Sequence, residues 1–271
     1  MELKEVIREV KEKLKSVGIT DISETEWLIA EALKIKRSGV YLTKNISTEE
    51  KNTIDKYVEL RMMHMPLDYI TGESEFFGLK LFVNSNVLIP RPETELLVEE
   101  VLKVTTEGWN ILDMCTGSGA IAIAIKKNCD ANVTAVDISK EALKVAEKNA
   151  KNHLVEINFI QSDLFENVDG EFDIIVSNPP YIPTKDIEML EKDVKDYEPN
   201  LALDGGVTGL DIYKRIVENL DKYLKTGGYL FLEIGINQSK DISQMFGKNY
   251  TVEIIKDYNN IDRILKVRRI S

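Results

Sequence analysis

The 271-residue chain predicts an α/β fold, a doubly wound and mostly parallel sheet preceded by a small helical bundle. Three observations predict it. From about residue 90 onward, short β-branched apolar runs alternate with helix-period segments. The first run, Asn110 to Met114, enters the turn Gly117-Ser118-Gly119, which opens the helical stretch Ala120 to Lys127. The later runs stop at polar residues suited to a ligand crevice: Asp137, Asp163 and Asn178.

Residues 1 to about 75 carry helical periodicity in three pieces, Leu3 to Val17, Ser23 to Leu33 and Thr48 to Met63. Thr20-Asp21 and Ser47-Thr48 are start signals, the latter followed by Glu49 and Glu50. This segment, 1–75, reads as an N-terminal helical domain. Leu79 to Leu88 alternates around Asn84-Ser85-Asn86 and reads as a β-hairpin linker within 76–90. Residues 91–271 form the α/β domain. Pro92, followed by Glu93 and Glu95, suits the first turn of a helix. Ser139 caps the next helix, whose positions 142, 143, 145 and 146 face the sheet. Ile157 to Ile160 and Phe172 to Val176 are further strands. Thr226-Gly227-Gly228 precedes a strand over Tyr229 to Ile234, and Tyr250 to Ile255 and Arg263 to Arg269 read as a last pair of strands.

The glycine turn lets backbone approach a ligand closely, and the helix behind it points N–H groups at the ligand's negative end. Ala122 stands at the third glycine position of a dinucleotide fingerprint, a substitution those sites tolerate, so the turn alone leaves a nicotinamide dinucleotide open. Asp137 follows the turn by about 20 residues, the usual place for an acceptor of ribose hydroxyls. Asp163 can reach an adenine amino group and Leu164 its face. Three successive strand ends therefore supply one crevice that suits an adenosine-containing cofactor.

Ser177-Asn178-Pro179-Pro180-Tyr181 follows the buried run directly, and its two prolines end the strand at Asn178. The Asn178 side chain offers a carbonyl acceptor beside an NH₂ donor. The Pro179 carbonyl adds a second acceptor in a stiff loop, and the Tyr181 ring can cover a flat substrate. Two acceptors aimed at one NH₂ group fix the direction of its lone pair. This arrangement suits alkylation of a weakly nucleophilic nitrogen.

Composition narrows the class. Asp and Glu (46) outnumber Lys and Arg (35), giving a net charge of −11, which argues against a phosphate-gripping surface. Lys34 to Arg37 and Arg263 to Arg269 read as solvated edges. No apolar run is long enough to span a bilayer. Two cysteines without C-x-x-C spacing point to a reducing cytoplasm, and two distant histidines give no metal site.

Asp113-x-x-Thr116-Gly117-Ser118-Gly119, Asp137, Asp163 and Asn178-Pro179-Pro180-Tyr181 together resemble a class I S-adenosylmethionine-dependent methyltransferase acting on a planar nitrogen. Pro66 to Leu79 (PLDYITGESEFFGL) and Val87 to Glu95 (VLIPRPETE) narrow the resemblance to the peptide chain release factor glutamine methyltransferases, the HemK/PrmC family. Tyr197-Glu198-Pro199, Asp204-Gly205-Gly206, Gly209-Leu210-Asp211 and Leu232-Glu233-Ile234-Gly235 fit the same family. Cys115 stands where many relatives carry glycine.

The resemblance implies a Rossmann-like, seven-stranded sheet, and transfer of methyl from S-adenosyl-L-methionine to the N5 amide nitrogen of the Gly-Gly-Gln glutamine in class I release factors. The product is S-adenosyl-L-homocysteine. Cofactor contacts fall on Cys115, Thr116, Gly117, Ser118, Gly119, Asp137, Asp163, Leu164 and Asn178. Asn178, Pro179 and Tyr181 carry catalysis, and Pro180, Arg91 and Glu95 join them around the glutamine. The N-terminal domain is expected to dock the release factor, with the enzyme a cytoplasmic monomer that binds no specific nucleic acid. An adenine-N6 nucleic-acid methyltransferase is the rival reading, since it also presents an amino group on a planar ring.

Overall fold

The computed structural model describes residues 1–271 and divides into two compact units. The first comprises Met1–Gly72 together with the distant segment Lys192–Tyr197. Helix α1 (Leu3–Ser16) buries Leu3, Val6, Val10 and Leu14, one per turn on a single face. Asp21 caps α2 (Ile22–Leu33) by accepting the Ser23 N–H at 2.8 Å. Ser47 and Glu50 form a reciprocal capping box on α3 (Thr48–Met62), as the start signal predicts. A short α4 (Leu67–Thr71) closes the unit around Leu28, Ile29, Ile54 and Val58.

Inclusion of 192–197 departs from the expected 1–75 boundary, and Arg61 gives the reason. The residue is 6% exposed, and its guanidinium pairs with Glu24 at 3.0 Å and Asp193 at 3.7 Å. A cation buried that deeply needs carboxylates, and the chain returns to supply the second one.

The second unit opens with β1 (Glu73–Phe76) and β2 (Leu79–Phe82), paired antiparallel. The hairpin thus lies upstream of the 79–88 prediction. Its two-residue turn is Phe77-Gly78, both at positive φ (+52° and +70°), the conformation that matches strand twist. Asn84-Ser85-Asn86 forms an Asx turn instead, Asn86 N–H donating to Asn84 Oδ1 at 3.0 Å.

Next come α5 (Pro92–Val104), β3 (Asn110–Met114), α6 (Ala120–Asn128), β4 (Asn132–Asp137), α7 (Lys140–Asn152), β5 (Asn158–Gln161) and β6 (Phe172–Ser177). They are followed by α8 (Lys192–Tyr197), α9 (Asn200–Leu203), α10 (Asp211–Tyr223), β7 (Leu224–Glu233), α11 (Ser239–Ser243), β8 (Tyr250–Lys256) and β9 (Asp262–Arg269). The seven-stranded sheet runs β5-β4-β3-β6-β7-β9-β8, parallel through β7 and antiparallel at the β9 and β8 edge. Strand β7 begins at Leu224, not at Tyr229. The Lys225-to-Gly228 stretch is accommodated as an irregularity in the ladder between the Phe172↔Leu224 and Ile174↔Tyr229 pairs.

Alternate residues of the central strands feed two cores. Ile111, Ile174, Val176 and Phe231 pack with α5 and α6 on one face. Leu112, Ile175, Leu230 and Leu232 pack with α10 on the other. Strand order reverses between β3 and β6, which run parallel, so their carboxyl ends stand side by side, Met114 opposite Ser177. Ser177 Oγ donates to the Met114 carbonyl at 2.8 Å and ties the two ends together. That point is where open α/β sheets bind ligands.

Candidate active site

A pocket of about 200 Å³ opens at this switch point. Of the residues the sequence singled out, Cys115, Gly117, Asp137, Asp163, Leu164, Asn178 and Pro180 line it. A larger, open hollow of about 630 Å³ lies instead at the amino ends of β4 and β5, around Lys126 and Asn132, away from these strand ends.

The glycine turn works differently from the prediction at three positions. Thr116 is buried, and its hydroxyl donates to Asp113 Oδ2 at 2.6 Å. Ser118 is buried too, its carbonyl accepting from Asn149 Nδ2 at 2.9 Å. A Cβ on Gly119 would sit 3.0 Å from the Ala146 Cβ, so this glycine serves close packing of α6 on α7. None of the three lines the pocket. Cys115 does, at φ +59°, a left-handed conformation that accounts for glycine being favoured there. Burial pushes its thiol well above the ordinary range, and the nearby Asp137 adds to the shift, so the sulfur is a neutral, inert wall.

Asp137 accepts from Gly117 N–H at 2.9 Å and from Ser139 N–H at 2.8 Å. These bonds aim the carboxylate along the pocket and partly oppose the burial that raises its pKa. Beneath it Asp113 is fully buried, and desolvation pushes its carboxyl up to about 7 against the Thr116 and Ala122 hydrogen bonds. Asp163 sits beside Arg215 of α10, which also lines the pocket and is a residue the sequence reading missed. Asn86, Val87 and Leu88 line another wall, so the linker contributes to the site directly.

The Asn178 loop is braced from behind. Ile182 N–H donates to Leu203 O at 3.0 Å and Gly205 N–H to Ile182 O at 2.9 Å. Gln238 Nε2 donates to the Tyr181 carbonyl at 2.9 Å. These contacts explain the Asp204-Gly205-Gly206 and Gly209 motifs, which buttress the loop. Pro179 is buried and Tyr181 half-buried. Burial raises the Tyr181 phenol to about 12, with Glu233 adding to the shift and Arg263 and Arg91 opposing it.

Asn178 Nδ2 donates to Thr94 Oγ1 at 3.2 Å, and Thr94 Oγ1 donates to Glu233 Oε2 at 2.6 Å. Neither Thr94 nor Glu233 was singled out as a site residue. The available signal was a lone acid within the apolar run Leu230 to Ile234. Glu95 is engaged elsewhere: its carboxylate accepts the Phe77 N–H at 2.7 Å and fastens the hairpin turn to α5. Arg91 pairs with the buried Glu198 carboxylate. Both pairings differ from the expected glutamine contacts.

Family models match in two places: the PrmC N-terminal domain over residues 5–72 and the methyltransferase small domain over 92–195. A release factor glutamine methyltransferase of Thermodesulfovibrio yellowstonii is 41% identical, covering 97% of this chain and 96% of its own. One from Geobacter sulfurreducens is 42% identical over 89% and 87% of the two chains. A methyltransferase structure from Pyrococcus furiosus superposes with a TM-score of 0.56 at 20% identity, over 72% of this chain and 91% of that one, and shares the fold. With such identity over nearly its full length, a pocket at the β3 and β6 ends and an Asn-Pro-Pro-Tyr loop beside it, the chain belongs to the release factor glutamine methyltransferase family.

Proposed function

We propose that the protein transfers a methyl group from S-adenosylmethionine to the side-chain amide nitrogen of the Gly-Gly-Gln glutamine in class I release factors. The observation that carries this reading is Asn178. Its NH₂ group is engaged by Thr94 at the edge of the pocket, which leaves its Oδ1 acceptor for an incoming NH₂ group.

The pocket suits the cofactor by the chemistry of its donors and walls. Asp137 and Asp163 offer acceptors for the ribose hydroxyls and the adenine amino group, and Leu164 and Ile138 give apolar surface. Open space reaches the Gly117 backbone, where a Cβ would meet nothing within 4 Å. When bound, S-adenosylmethionine supplies an electrophilic methyl group on a sulfonium. Asn178 Oδ1 and the Pro179 carbonyl hold the glutamine NH₂ by its two hydrogens and direct its lone pair. Orientation of this kind removes much of the barrier for an amide, whose lone pair is delocalised. The same acceptors stabilise positive charge as it develops on nitrogen. The alkylated nitrogen is acidic enough to lose its proton to water, so no dedicated base is required.

The helical unit is proposed to hold remote surface of the release factor, since binding energy away from the reacting group can be spent on positioning it. We place the enzyme in the cytoplasm as a monomer.

The test is incubation with methyl-labelled S-adenosylmethionine, purified class I release factor and, separately, DNA and RNA, with the label located by mass spectrometry. Label on the Gly-Gly-Gln glutamine is expected. Label on adenine and none on the release factor would overturn the substrate assignment.

A further inference from the structure

Glu233 ends β7 with 2% of its surface exposed, in a run where Leu230, Phe231, Leu232 and Ile234 are all fully buried. Holding glutamine or cofactor requires no carboxylate there. Burying one is costly unless it is hydrogen-bonded, so its partners show what it does.

Those partners form a chain with a direction. A carboxylate only accepts, so the Thr94 hydroxyl must donate to it, as the 2.6 Å contact shows. With its hydrogen spent, Thr94 Oγ1 must accept from the Asn178 side chain, and only the amide NH₂ can donate. The Asn178 amide also lies close enough to Glu233 to favour its ionised form. The amide NH₂ is therefore held toward Thr94 of α5. The amide cannot turn over without setting its oxygen against the Thr94 oxygen, whose hydrogen is already given to Glu233.

We propose that Glu233 is a positioning residue that acts through Thr94 to lock the Asn178 amide with its oxygen toward the acceptor, so the site takes a nitrogen that carries hydrogens. This rests on the reading of Asn178 as the acceptor-binding group. It gives α5 a function beyond packing: Thr94 couples two strand ends that are 55 residues apart in sequence, Asn178 and Glu233. Charge also travels along the relay, since an ionised Glu233 polarises Thr94 and then Asn178 and makes Oδ1 a stronger acceptor.

The lock needs Glu233 ionised. Desolvation pushes its pKa up to about 7, opposed by the Thr94 hydrogen bond, Arg263 and the nearby Asn178 amide, with Glu93 adding to the rise. Tyr181 and Tyr213 also face it; the Tyr213 hydroxyl donates to its backbone carbonyl at 2.8 Å. Once Glu233 is protonated it can donate to Thr94, the chain can reverse, and Asn178 can present NH₂ to NH₂.

The test compares wild type, Glu233→Gln, Thr94→Val and Thr94→Ser. Cofactor Kd, the pH profile of kcat/KM for release factor methylation and the ¹⁵N–¹H signals of the Asn178 side chain are measured. Wild-type kcat/KM should rise with pH along a limb centred near the Glu233 pKa. Glu233→Gln should lose about tenfold or more in kcat/KM at pH 8 and should lack that limb, with cofactor Kd unchanged. Thr94→Val should behave likewise, and Thr94→Ser should recover most of the loss. In the free protein the Asn178 NH₂ signals should titrate with Glu233 and cease to do so in Glu233→Gln. A Glu233→Gln enzyme with wild-type kcat/KM and pH profile, or Asn178 signals indifferent to pH, would overturn the relay. A wild-type protein that methylates no release factor overturns the functional reading instead, and the Asn178 titration still decides the relay.

Discussion

Arg215 Nη2 lies 2.9 Å from Asp163 Oδ1, so the carboxylate proposed to read the adenine amino group is held from one side by an ion pair. The pair orients Asp163. Arg215 is partly exposed, so its contribution is modest and screened by salt. Arg215→Ala should weaken cofactor binding about threefold at low ionic strength, with the gap narrowing as salt is added. Calorimetric titration at two salt concentrations checks this. Tighter binding in the variant would mean that the ion pair competes with the ligand.

Asp137 carries a larger share. Its carboxylate is pre-aimed by Gly117 and Ser139 N–H groups, so the ribose hydroxyls it is proposed to hold would meet an ordered acceptor. Asp137→Ala removes two charge-assisted hydrogen bonds and should raise cofactor Kd by about 30- to 100-fold. An unchanged Kd would remove the ribose role.

Gly209 braces the Asn178 loop by close approach. A Cβ there would lie 2.3 Å from the Tyr181 carbonyl oxygen, at a backbone φ of +73°. Gly209→Ala should lower stability by about 2 kcal/mol and Tm by about 5 °C, with kcat falling as the loop shifts. Thermal denaturation beside steady-state kinetics reads both effects.

Ionising Glu233 costs stability. Its folded pKa of about 7 lies above the ordinary 4.5. The folded state therefore prefers the protonated form, a preference fully present below 4.5 and lost as pH rises through about 7. Glu233→Gln, which carries no charge, should exceed wild type in urea stability at pH 8 by about 3 kcal/mol. That advantage should shrink toward pH 5. A constant difference across the range would contradict the assignment of the shift to Glu233.

The strands and helices of the second unit were legible because Ile174 to Val176 and Ile121 to Ile125 carry unambiguous apolar patterns. The strand-end residues Asp137, Asp163 and Asn178 were legible because a parallel sheet gathers its carboxyl ends. The hairpin was misplaced because its turn is Phe77-Gly78, and a phenylalanine at positive φ carries no turn signature. The motif predicts ligand contacts at Thr116, Ser118 and Gly119 because its spacing does not say which side of a turn faces the pocket. Thr94 with Glu233, and Asp163 with Arg215, are pairings across 139 and 52 residues of sequence, and local pattern holds no record of them.

The most direct test of the site is single-turnover methylation of release factor by Asn178→Ala beside its cofactor Kd. Loss of the asparagine acceptor should slow transfer by about a hundredfold or more while Kd stays within about threefold of wild type. Near wild-type transfer by Asn178→Ala would show that the β6 loop does not orient the glutamine.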